Sequence, residues 1–104
     1  MKESKYLDLS EWTEFAANGT VSKTLLDTPQ VKVTLFCMAA GQELTEHTAG
    51  KPAIVHFTSG DGEFVLEGET QSIKPGAWFY MPSGARHSLK VRSDSVFLLT
   101  FLRG

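Results

Sequence analysis

Three side chains in this sequence of 104 residues carry an imidazole: His47, His56 and His87. An imidazole can hold a metal through a neutral ring nitrogen, move a proton near neutral pH, or hydrogen-bond a bound molecule. His47 lies in "GQELTEHTAGKPA", which runs from Gly41 to Ala53. His87 lies in "RHSLKV" and His56 in "AIVHFT". Two carboxylates, Glu43 and Glu46, stand just before His47. The one cysteine, Cys37, sits in the apolar run "VKVTLFCM" and reads as a small buried hydrophobe rather than a nucleophile. A single cysteine also excludes an intrachain disulfide. No Ser-His-Asp or Cys-His arrangement and no phosphate-binding loop stands out, and "SGDGEF" reads as a hairpin turn.

Strands must position these imidazoles. Short apolar or alternating runs ("KTLLD", "VKVTLFCMA", "AIVHFT", "EFVLE", "TQSI", "AWFYM", "RHSLKV", "VFLLTFL") are cut by Gly, Pro, Ser and Asp. That pattern predicts seven or eight strands and an all-β sandwich or barrel. One segment, "SEWTEFAANG", argues for a short N-terminal helical turn, with Ser10 as its cap and Trp12, Phe15 and Ala16 on one face.

Alternate residues of a strand share a face. His87, Leu89 and Val91 therefore point to the apolar interior. Thr45, His47 and Ala49 share a face opposite Glu46 and Thr48, which makes His47 the inward residue. Glu43 has the same parity as His47, but near a strand start an exposed charge is the usual case. If Ala53 is inward, Val55 and Phe57 are inward too, and His56 points out. Trp78, Phe79, Tyr80 and Met81 alternate across one strand, so two of them face inward, and parity alone does not say which two. Thr45, His47, Phe57, Trp78, Tyr80 and His87 form the candidate lining of a ligand pocket in the barrel mouth. The last strand is apolar on both faces: Val96, Leu98 and Leu102 on one, Phe97, Leu99 and Phe101 on the other. Its second face should meet another layer or a second subunit.

Two segments together resemble the cupin superfamily of small jelly-roll barrels. Its second motif is a Gly, five residues, Pro-x-Gly, two residues and a His, which "GAWFYMPSGARHSLKV" matches with Gly76, Pro82, Gly84 and His87. Its closing Asn position is Val91. The first motif is half matched: five residues separate Gly41 from His47, and Gly60 closes it. "FVLEGE" is similar to the hairpin that cupins place between the motifs. The resemblance runs from about Val31 to Leu102. It implies a double-stranded β-helix, with residues 1–104 as one domain and its core at 31–102.

In metal-binding cupins three histidines and a glutamate converge on one ion. By that resemblance His47 and His87 keep two of the four positions, while Ala49 and Ala53 fill the others. Two neutral imidazoles are a poor cage, because a catalytic zinc normally has about three protein ligands, and non-haem iron takes two histidines and a carboxylate. The expected function is small-ligand binding, with no established catalysis. The alternative is a metal-dependent dioxygenase- or isomerase-like enzyme, holding a weakly bound divalent transition metal on His47 and His87.

Composition bounds the partners. The formal net charge is −2 and the ten Lys and Arg residues are scattered, so no basic field for nucleic acid or an anionic membrane is expected. The N-terminal sequence lacks the apolar core of a signal peptide, and no apolar stretch approaches the ~20 residues of a membrane span. A cytoplasmic homodimer is expected, the dimer from the doubly apolar last strand and from family habit.

Overall fold

The computed structural model describes residues 4–103. After a single helical turn, α1 (Leu9–Trp12), come nine strands: β1 (Thr20–Asp27), β2 (Val31–Met38), β3 (Glu43–His47), β4 (Ala53–Ser59), β5 (Gly62–Leu66), β6 (Glu69–Ile73), β7 (Trp78–Met81), β8 (His87–Val91) and β9 (Ser95–Leu102). They form two facing antiparallel sheets, ordered β1-β2-β9-β4-β7 and β3-β8-β5-β6. This is the all-β jelly-roll barrel that the alternating runs and the two motifs imply.

The turns follow from their residues. β5 and β6 are joined by Glu67-Gly68, both at positive φ (49° and 82°), the type I′ geometry whose twist matches a hairpin. "SGDGEF" does something different from the hairpin expected of it. β4 pairs with β7 and β9, whereas β5 pairs with β6 and β8. Gly60-Asp61 therefore carries the chain from one sheet to the other. At Gly60, φ is +126° and an added Cβ would lie 2.1 Å from Ser95 Oγ, so only glycine fits there.

The helical turn is also shifted. Asp8, not Ser10, is its cap: the Asp8 carboxylate accepts from the Ser10 N–H at 3.0 Å and the Ser10 hydroxyl at 2.7 Å. An aspartate at this position satisfies the free N–H groups of a first turn. The turn ends at Trp12, and Phe15 is exposed.

Two apolar clusters hold the molecule. The larger lies between the sheets, around Phe57, Phe64, Phe97, Met38 and Val91. There the Phe64 and Phe79 rings stack at 4.1 Å, and Phe57 meets Phe97 at 4.8 Å. The smaller lies on the outer face of β1, β2 and β9, where Leu7, Leu9 and Trp12 pack over Leu25, Leu35, Cys37, Val96 and Leu98. The second apolar face of β9 thus meets a layer from its own chain. Cys37 is fully buried within it, as a small hydrophobe.

Candidate functional site

His87 opens β8, and the strand alternates as expected: His87, Leu89 and Val91 are buried, while Lys90 is exposed. β3 brings His47 beside it by a less regular route. Leu44 pairs with Leu89 and His47 with His87, so three steps on β3 match two on β8. The extra residue is a β-bulge, which re-aims the side chains that follow it. Leu44 and His47 both face the interior, while Thr45 and Glu46 lie on the outer surface between them. Simple parity had placed Thr45 beside His47 in the pocket, and the bulge overturns that. Glu43 also lies outside, in the same outer groove as Thr45.

The two imidazoles touch, with ring centroids 4.1 Å apart and planes inclined at 60°. Each Nδ1 is engaged by a backbone carbonyl two residues earlier: His47 Nδ1 with Thr45 O at 2.7 Å, His87 Nδ1 with Ala85 O at 3.1 Å. A carbonyl can only accept, so each Nδ1 carries a proton, and the neutral tautomer this selects has its lone pair on Nε2. Among the described residues no fully buried side-chain nitrogen lacks a partner. The His87 Nε2, which makes no protein hydrogen bond among those residues, is therefore open to the cavity. Burial pushes the His87 imidazole below its ordinary value. The Ala85 carbonyl opposes that shift, and the neighbouring His47 adds to it. His87 is thus a neutral acceptor at neutral pH.

Both rings border a cavity of about 250 Å³. Its walls are Phe36, Val55, Met81, Phe97 and Leu99 from one sheet and Leu44, Phe64 and Leu89 from the other. Among the described residues the histidines are its only polar side chains. An apolar cavity of about 150 Å³ already accepts a benzene-sized molecule.

Other expected lining residues lie elsewhere. Phe57 is fully buried beneath the cavity, against Phe64, Phe79 and Phe97. Trp78 and Tyr80 point outward, 58% and 47% exposed, while Phe79 and Met81 are the inward pair of β7. The pairing of Ala53 with Met81 and of Val55 with Phe79 fixes that parity, and a run of four apolar residues cannot reveal it. Ala53 is fully buried and inward, and His56 points away from the cavity, as its parity requires. Of the cavity lining only His47 and His87 were expected from the sequence; Phe36, Leu44, Val55, Phe64, Met81, Leu89, Phe97 and Leu99 were not. Leu44 carried a signal, being the one large apolar residue of a polar strand.

The donor set does not fit a metal. Among the described residues no group of three or more His, Cys, Asp or Glu side chains is placed to hold an ion. Ala53 offers a methyl group where the resemblance calls for a carboxylate, and Ala49 lies in the loop after β3.

Comparison with known proteins agrees with this architecture. The family model described as "Cupin domain" matches residues 34–102. The chain is 33% identical over 86 residues to a pyrimidine/purine nucleoside phosphorylase from Geotalea uraniireducens, covering 81% of each protein. Among solved structures it is similar to a conserved protein of unknown function from Streptococcus pyogenes, at TM-score 0.84 and 27% identity, covering 100% of this chain and 91% of that one. A cupin from Desulfovibrio desulfuricans superposes at TM-score 0.86 with 25% identity, covering 97% and 98%. With the barrel, the second motif and the match over most of its length in agreement, this chain belongs to the cupin domain family.

Proposed function

We propose that this chain is a small-molecule-binding cupin. The barrel takes a compact ring-bearing molecule whose N–H or O–H groups donate to Nε2 of His47 and His87. The carrying observation is the cavity itself: apolar walls with two imidazoles side by side at one place. Such a site orients a flat ligand through few polar contacts and gains affinity from its apolar body. A lone donor edge without a hydrophobic body would gain little over water.

A second, catalytic reading is favoured by the relative named a pyrimidine/purine nucleoside phosphorylase. Nucleobases are flat heterocycles with donor edges, so the same cavity suits them, and a nucleoside is the substrate class to try first.

The test is calorimetric titration with a panel of nucleobases, nucleosides and neutral heterocycles. Saturable binding to the wild type, lost in His47→Leu and His87→Leu, supports the binding reading. Release of free base from a nucleoside only when phosphate is present supports the catalytic one. No binding by any member of the panel, with the variants folded, overturns both.

A further inference from the structure

A second concavity, of about 310 Å³, lies beside the first and has the opposite chemistry. It is lined by Lys32, Lys51 and Arg103 together with Phe101, Ala49 and Gly50. The fold explains why these meet. Lys32 pairs with Phe101 across β2 and β9, and Phe101 pairs with Ala53 across β9 and β4. Phe101 is two residues beyond Leu99 on the same face of β9. Leu99 belongs to the apolar cavity, so the basic recess begins about 7 Å further along that face. The loop carrying Lys51 is held at both ends. The Leu102 N–H donates to Pro52 O at 2.9 Å, and the Gly84 N–H donates to Ala49 O at 2.8 Å.

The charge is not self-neutralised. Arg103 is paired with Asp27 and also donates to Thr28 O at 2.9 Å. Asp27 is the cross-strand neighbour of Lys32, so among the described residues one carboxylate stands against three cations. Among the described residues, Lys32 and Lys51 take part in no ion pair. The chain as a whole is acidic, with twelve Asp and Glu against ten Lys and Arg. Three cations around one recess at the barrel rim are therefore a local inversion of its charge. Ammonium and guanidinium groups converging on a recess are suited to an oxyanion.

We infer that this recess is an oxyanion subsite: it binds the phosphate or carboxylate of a ligand whose ring occupies the neighbouring cavity. The inference deepens the small-molecule reading and rests on it for the ring, though not for the anion. The preferred ligand is then an anionic derivative of a flat ring rather than a neutral one. Lys32 and Lys51 supply free charge, and Arg103, fixed by Asp27, supplies a positioned donor.

The experiment is an amide-detected NMR titration of the intact chain with three probes: inorganic phosphate, acetate and indole. Phosphate should give saturable shifts centred on Lys32, Gly50, Lys51 and Arg103, with affinity falling as salt rises. Acetate acting at the same residues marks a general oxyanion site, and silence from acetate marks a phosphate-selective one. Either result supports the inference. Lys32→Gln and Lys51→Gln should each weaken phosphate about tenfold. Shifts spread over all lysines, or an affinity in both variants equal to that of the wild type, overturn it. Indole reports the cavity separately, through Val55, Met81 and Leu99. If phosphate binds and indole does not, the ring site fails and the recess stands; the reverse pattern removes the recess alone.

Discussion

At the scale of single residues, the site depends on two touching imidazoles, each with its Nδ1 held by a backbone carbonyl. Burial lowers the His87 pKa below its ordinary 6.5. In the window between the depressed folded value and 6.5, the unfolded chain binds a proton that the native chain does not. Stability from this source is complete above about pH 6.5, falls as pH drops through that window, and is level below it. The urea midpoint of the wild type should therefore fall between pH 7.5 and 5.5 by more than that of His87→Gln. Parallel pH profiles for the two proteins would remove His87 as the origin. Phe57 makes a contrasting prediction. It touches three aromatic rings and lies beneath the cavity rather than in its wall. Phe57→Ala should cost about 3–5 kcal/mol in urea unfolding. Phe36→Leu, in the wall itself, should cost less than about 1.5 kcal/mol and act chiefly on ligand affinity.

At the scale of strands and turns, side-chain aim is set by devices that alternation does not encode. Seven or eight of the strands and the place of His87 were legible, because apolar runs bounded by turn residues and a motif in register are local features. Thr45 was misplaced because one extra residue on β3 changes the parity of all that follows. Trp78 and Tyr80 were misplaced because β7 is apolar at all four positions, and only its pairing with β4 decides which two face inward. The turns allow a paired test. Gly60 and Gly68 both have positive φ, but Gly60 lies over the backbone and side chain of the buried Ser95, while Gly68 has open space around it. Ser95 cannot yield, since its hydroxyl donates to Ser93 O and accepts from the Asp61 N–H. Gly68→Ala should cost about 1 kcal/mol. Gly60→Ala should cost more than about 3 kcal/mol, because backbone strain and overpacking add. Equal losses in thermal or urea unfolding would show that Ser95 shifts without penalty.

At the scale of the whole molecule, the outer face of the five-stranded sheet is divided in two. The N-terminal segment lays Leu7, Leu9 and Trp12 over β1, β2 and β9, so the apolar character of β9 no longer argues for a second subunit. The other half, over β4 and β7, keeps its large aromatics in the open: Trp78 and Tyr80 stand out from edge strand β7, opposite His56 and Ile54 of β4. A twofold contact places one patch on its own copy, so a single aromatic surface covers both subunits. We propose that the expected homodimer forms through this face, with Trp78 as its anchor. Light scattering at micromolar concentration should give twice the chain mass for the wild type. The double variant Trp78→Ser, Tyr80→Ser should give one chain mass, and its circular dichroism should be unchanged because both side chains project from an outer surface. A Trp12→Ala variant supplies the contrast. It should lose about 2 kcal/mol of stability from the half-buried inner layer while remaining dimeric. A monomeric wild type would end the assignment. So would a variant of Trp78 and Tyr80 that stays dimeric, since it would leave the contact to some other surface.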